Sequence, residues 1–247
     1  MAAKKKKKRC VYCHSSEDLT RDHIPPRSLF PKPRPSNLIT VPCCRNCHEK
    51  LTEKDEYFRN FLIFSPQCRG HDAARQLQKS GLRSLQDPNA GELSNPLFNF
   101  RNRRWPGNLV SSLPFDYGAS VAPDDERIED VIERIIVGLF WKETDKYLPL
   151  DYSVDVVGSY DSTYMDWQVQ QSVRRLQNEE EPADIGEGVF QYWWSWAEPT
   201  HPEETHRSDW MLKFYEGTTF LCKVSRSQEN VNPSSQRLFD LSHYLNR

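Results

Sequence analysis

The 247-residue chain is 37% hydrophobic and 28% charged, which is enough apolar material for a core but polar for its size. No apolar run approaches bilayer length, and no hydrophobic stretch follows the basic N-terminus, so the expectation is a cytoplasmic protein with no membrane contact. The net charge of −2 hides an asymmetry. Met1 to Arg104 carries 21 Lys and Arg against 10 Asp and Glu, a net of +11, whereas Trp105 to Arg247 carries 12 against 25, a net of −13. A basic front half implies an anionic partner, or attraction between the two halves.

In chain order, the tract Lys4, Lys5, Lys6, Lys7, Lys8, Arg9 abuts a first C-x-x-C pair, Cys10 and Cys13. The tract reads either as a phosphate-binding segment or as a solvated tail. "TRDHIPPRSL" follows, placing Asp22 beside His23 and ahead of two prolines. Asn37 stands in "RPSNLITVP", and a second pair, Cys44 and Cys47, is followed at once by His48. Two such pairs in a reducing compartment favour a tetrahedral zinc ion over disulfides. Thirty residues separate Cys13 from Cys44, more than the 15 to 20 of the plain double-knuckle zinc pattern, so the interval should carry something of its own. Cys43 competes with Cys44 as a ligand, although only Cys44 keeps the C-x-x-C spacing with Cys47. His14 is expected to be exposed, and Cys68 and Cys222 to be isolated thiols.

Lys54 to Phe64 has Tyr57, Phe58, Phe61 and Leu62 on a helical period, so the second pair leads into a helix. Ser65 to Ala119 is a connecting segment with one expected helix near its start. Its basic "RNRRW", Arg101 to Trp105, reads as a charged loop ahead of a single-strand-binding element. Pro123 to Tyr147 predicts a helix with an apolar stripe of Ile128, Val131, Ile132, Ile135, Ile136, Leu139 and Phe140, capped by Asp124 or Asp125. Beyond it the period becomes two. "GVFQYWWSWA" predicts a strand, and "DWMLKFYEGTTFLCKVS" predicts two strands around a Glu216–Gly217 turn. Trp193, Trp194 and Trp196 read as sheet core. The expected fold class is α+β, with residues 1–64 as the cysteine-bearing domain, 65–119 as a connector, and 120–247 as an acidic α+β domain in which a buried helix packs on an antiparallel sheet. That last domain is a candidate surface for a protein partner or self-association.

The ordered set C-x-x-C, D-H, N, C-x-x-C-H, spanning about Cys10 to Phe61, resembles the HNH endonucleases, the ββα-metal nucleases that sit on a treble-clef zinc scaffold. "KDEYFRNFL" and "ERIIVGLFW" are loosely similar to a group of bacterial HNH proteins. The resemblance implies a metal-dependent endonuclease acting on DNA ahead of RNA, and a setting in phage defence or mobile elements. Cys10, Cys13, Cys44 and Cys47 would hold structural zinc. An imidazole titrates near neutral pH, so His23 suits the general base that takes a proton from attacking water. Asn37 is the residue the family would use to orient it. Asp22, on the opposite face of a strand from His23, and His48 would hold a hard divalent cation, Mg²⁺ or Mn²⁺, against the charge developing on phosphate. Some HNH proteins carry a further ligand one turn beyond the last histidine. Here Thr52 stands at that place, with Asp55 and Glu56 nearby. Arg21, Arg27 and Arg45, with Lys32 and Arg34, are placed for phosphate contacts. Two other readings remain open. In one the cysteines scaffold a non-catalytic zinc module that binds nucleic acid or a partner protein. In the other the same site cuts RNA.

Overall fold

The structure, a computed structural model, describes residues 8–52, 54–86, 123–160, 164, 166–179, 181–197 and 207–226. Lys4 to Lys7 and the "RNRRW" segment lie outside the described residues. Among the described residues no helix is long and apolar enough to cross a membrane.

Strands β1 (Leu19–Ile24) and β2 (Ile39–Cys44) form an antiparallel hairpin, with Asp22 opposite Val41 and His23 opposite Thr40. Helix α1 (Arg45–Thr52) starts directly after β2, completing a ββα unit. Helix α2 (Asp55–Phe64) buries Tyr57, Phe58, Phe61 and Leu62, the periodic residues that mark it in the sequence. Helix α3 (Asp72–Gln86) packs on α2.

Helix α4 (Asp125–Thr144) begins where Asp124 accepts a hydrogen bond from the Arg127 backbone N–H at 3.2 Å, so Asp124 is the cap. The expected stripe understates its burial, because every residue from Val131 to Phe140 is buried. The reason is that α4 is covered on several sides: it contacts α1, α2, both strands of the hairpin and β3 (Tyr152–Gly158). Gly138 permits a close approach to the hairpin, since a Cβ there would lie 2.6 Å from Cγ1 of Ile24 on β1.

Helix α5 (Trp167–Glu179) and strands β4 (Ala183–Ile185), β5 (Phe190–Ala197), β6 (Arg207–Phe214) and β7 (Thr218–Arg226) complete the chain. The five strands form an antiparallel sheet in the order β3-β7-β6-β5-β4. The β6–β7 turn lies where the sequence places it. Tyr215 (φ 50°) and Glu216 (φ 55°) take left-handed conformations, matching the twist of the hairpin. Gly217 lies so close to the Gln67 carbonyl that a Cβ would meet it at 2.1 Å.

The sheet's two faces alternate as the strand period requires. One face presents Phe190, Tyr192, Trp210, Phe214 and Phe220 to the main core, and the other presents Trp193, Met211 and Leu221 to Val173 and Leu176 of α5. The three tryptophans expected in the core therefore divide. Trp193 packs under α5, Trp194 stacks on Trp210 at 5.1 Å, and Trp196 is half exposed against Phe140. One continuous apolar cluster joins Cys10, Ile24, Val41, Phe58, Ile132, Phe190 and Phe220, so residues of the front and back segments share a core.

Candidate active site

The first cysteine pair sits in a turn before β1. The Cys10 N–H donates to the Ser15 carbonyl at 2.7 Å, and the Val11 N–H donates to the Pro42 carbonyl at 3.0 Å, tying the turn to β2. The second pair spans the end of β2 and the first turn of α1, where the Cys47 N–H reaches the Cys44 sulfur at 3.5 Å. The hairpin register brings the pairs together. All four sulfurs lie within 4.8 Å of one another, and Cys13 and Cys44 approach to 3.6 Å. A zinc–sulfur bond of about 2.3 Å makes the edge of a tetrahedron roughly 3.8 Å. The four thiols therefore fit one tetrahedral zinc ion, and at 3.6 Å no S–S bond competes. Cys43 lies on the other side of the strand from Cys44. It is outside this group, and its thiol donates to the Cys44 carbonyl at 3.3 Å.

Beside this cluster a cleft of about 500 Å³ is lined by Arg21, Asp22, His23, Pro26, Arg27, Ser28, His48, Thr52, Asp55, Glu56, Arg59 and Arg134. Asp22 and His23 enter it from β1, and His48 from α1. His23 is half-buried. Burial, then the charge on Arg27, lowers its pKa below the ordinary imidazole value of 6.5, with Asp22 acting in the opposite sense. At neutral pH its ring is therefore neutral and able to accept a proton. Arg21 and Arg27 are exposed at the cleft, and Arg45 is exposed on the first turn of α1.

Asp22 differs from an open metal ligand. It is only 2% exposed. Its Oδ2 accepts a hydrogen bond from the Tyr12 hydroxyl at 2.7 Å and lies 3.0 Å from Nε of Arg134; its Oδ1 accepts from Nη2 of Arg134 at 3.3 Å. Arg134 also binds Asp55, with Nη1 donating to Oδ1 at 2.6 Å. Burial raises the Asp55 pKa, and Arg134 opposes that rise. The donor types here, two carboxylates and the His48 imidazole, fit a hard divalent ion. Any such ion would share Asp22 with a fixed guanidinium. Among the described residues, the four thiols are the one group of three or more His, Cys, Asp or Glu ligands drawn that close together.

Asn37 does not line this cleft. It occupies the Ser36–Asn37 turn ahead of β2, outside the cleft, and its amide donates to the Asp184 carbonyl of β4 at 3.1 Å. His23 pairs with Thr40, three residues further along, and the turn directs Asn37 toward the sheet instead. His14, expected to be exposed, is half-buried. Its Nε2 lies 3.0 Å from the Leu148 carbonyl, and its ring meets Tyr147 edge-on at 5.4 Å. The Arg9 guanidinium lies 4.7 Å from the same Tyr147 ring. These contacts fasten the first cysteine turn to the segment after α4, so Arg9 is engaged within the protein.

Arg134 is the site residue that motif reading misses. A signal was present: a charged residue at i+3 from Val131 and i−4 from Gly138, on the apolar side of a helix whose other charge in that stretch is Glu133. A buried charge needs a partner, and Asp22 and Asp55 are the partners.

The family model described as HNH endonuclease matches residues 10–54, from the first cysteine pair to the loop after α1. These residues form an HNH domain, with the nuclease-like character that family implies. No curated protein and no solved structure matches the chain.

Proposed function

We propose that the HNH domain is a zinc-stabilised, metal-dependent endonuclease that hydrolyses phosphodiester bonds in DNA. The observation that carries this reading is the meeting of Asp22, His23 and His48 in one cleft beside four clustered thiols. His23, neutral at pH 7, takes the proton from the attacking water. Asp22 and His48 would hold a divalent cation, Mg²⁺ or Mn²⁺, which when bound supplies positive charge against the phosphate and the leaving oxygen. Arg21 and Arg27 at the cleft mouth position the sugar–phosphate backbone without reading sequence. Cys10, Cys13, Cys44 and Cys47 hold zinc and fix the hairpin on which His23 stands. A setting in phage defence or mobile elements rests on the resemblance alone.

One observation favours a second reading. Asp22 is already engaged by Arg134, as it would be in a zinc module with no catalytic role that binds nucleic acid or a partner protein. The two readings part on one assay. Purified protein is incubated with supercoiled plasmid in Mg²⁺, Mn²⁺ or EDTA, beside a folded, zinc-loaded His23→Ala variant. Metal-dependent nicking that falls by roughly 10²–10⁴ in the variant, the usual contribution of a general base, is the expected result. Equal nicking by the variant, or none in any metal, supports the scaffold. A structured RNA in parallel distinguishes the ribonuclease reading.

A further inference from the structure

We infer that Arg134 is a resident cation of the cleft, competing with the divalent ion for Asp22 and Asp55. This rests on the reading of Asp22 as a metal ligand. Arg134 comes from α4, far outside the HNH match at residues 10–54, and its side chain is 1% exposed. Its guanidinium meets three negative features. Nε lies 3.0 Å from Asp22 Oδ2. Nη2 donates to Asp22 Oδ1 and to Asp55 Oδ2, each at 3.3 Å. Nη1 donates to Asp55 Oδ1 at 2.6 Å and to the Leu51 carbonyl at 2.7 Å. Leu51 is the penultimate residue of α1, where unpaired carbonyls carry partial negative charge.

Each of the four carboxylate oxygens thus has the same guanidinium as a neighbour. Two carboxylates so close to one cation, Asp22 buried and Asp55 half-buried, would repel each other without it, and here the neutralising charge is supplied from within the chain. Guanidinium and carboxylates together carry a formal charge of about −1, and about −2 once the guanidinium is replaced by a neutral side chain. A divalent ion entering the intact cleft must share or displace bonds to Arg134 and sit beside its charge, at low dielectric. Arg134 therefore holds divalent affinity down, and packing of α4 against the hairpin determines how firmly it does so.

The test measures binding, so it stays informative for a protein that cuts nothing. The full-length zinc-loaded chain is titrated with Mn²⁺, free ion is followed by electron paramagnetic resonance, and melting is recorded with and without Mn²⁺. Arg134→Gln should melt below wild type without Mn²⁺, bind Mn²⁺ at least tenfold more tightly, and regain melting temperature as Mn²⁺ is added. Adding Asp22→Asn should abolish that gain. Arg134→Lys keeps the charge but cannot bridge both carboxylates, and should show a smaller gain. Affinity in Arg134→Gln equal to or below wild type overturns the inference, as does a gain that survives Asp22→Asn. Should Arg134→Gln fail to fold even in Mn²⁺, Arg134→Lys decides: wild-type affinity there overturns it. Loss of plasmid nicking bears on the nuclease reading and leaves this result standing.

Discussion

The position of Arg134 depends on one core shared by the front and back segments, and Phe58→Ala tests that core directly. Phe58 lies on α2, in the front segment, and is fully buried. Its ring meets Phe214 edge-on at 5.3 Å and Phe220 at 6.1 Å, both on the back-segment sheet. An aromatic side chain buries roughly 150–250 Å², and most of that belongs to the ring. Losing about 120 Å² at about 25 cal/mol per Å² costs roughly 3 kcal/mol. Loss of the ring–ring geometry adds about 1 kcal/mol. The sum falls within the roughly 3–5 kcal/mol found for Phe→Ala in cores. For a chain of this length, that lowers the melting temperature by on the order of 10 °C. Two probes should move together: tryptophan fluorescence, reporting the stacked Trp194–Trp210 pair of the sheet, and zinc release to a chromophoric chelator, reporting the cysteine cluster. A zinc-release transition that shifts while the tryptophan transition stays fixed would refute a shared core. The front and back segments would then be independent domains, and the Arg134 contacts would have no common scaffold.

Further outcomes are expected. Because burial and Arg27 lower the His23 pKa, nicking should hold steady from neutral pH down to about 6.5 and fall only on further acidification, as the ring gains its proton; a kcat/KM profile whose acid limb lies above 6.5 would contradict that. Cys44→Ser should lose bound zinc and cooperative melting, whereas Cys43→Ser should keep one zinc per chain by metal analysis, since Cys43 stands outside the sulfur cluster. Asn37→Ala removes a bond to the β4 backbone, so it should cost about 1 kcal/mol in denaturant melts and leave nicking within a few-fold of wild type. Loss of activity comparable to that of His23→Ala would instead restore Asn37 as the partner of the base.

Much of the scaffold is legible because single elements carry strong local signals. The stripe from Ile128 to Phe140 specifies a helix, and alternation with a Glu216–Gly217 turn specifies the last hairpin. Two C-x-x-C pairs announce the sulfur cluster. The elements missed are those with weak local signals. Helix α5 buries little beyond Val173 and Leu176, and strand β3 is half-buried throughout most of its length. The site is only partly legible, for a different reason. Asp22, His23 and His48 converge because their spacing follows a short hairpin and the helix it leads into. The roles of Asn37 and Arg134 depend on contacts across 147 and 112 residues of chain, which local pattern does not encode. Motif order pairs Asn37 with His23 and says nothing of the bond its amide makes to the Asp184 carbonyl, and it gives Arg134 no partner at all.

The charge asymmetry takes on a different meaning in the folded chain. A basic front half and an acidic back half would attract most simply through front cations and back anions. The Lys54–Asp130 pair follows that sense. The most deeply buried contact reverses it, with Arg134 supplied by the acidic half and Asp22 and Asp55 by the basic half. That contact withdraws two negative charges from the front segment's surface and leaves its exposed cations undiminished. Arg21 and Arg27 remain at the cleft mouth, where their field acts on whatever approaches His23. Neutralising acidic groups from within, rather than arginines from without, keeps a positive rim around the neutral imidazole. A polyanion is the partner that such a rim attracts, and the attraction weakens with added salt.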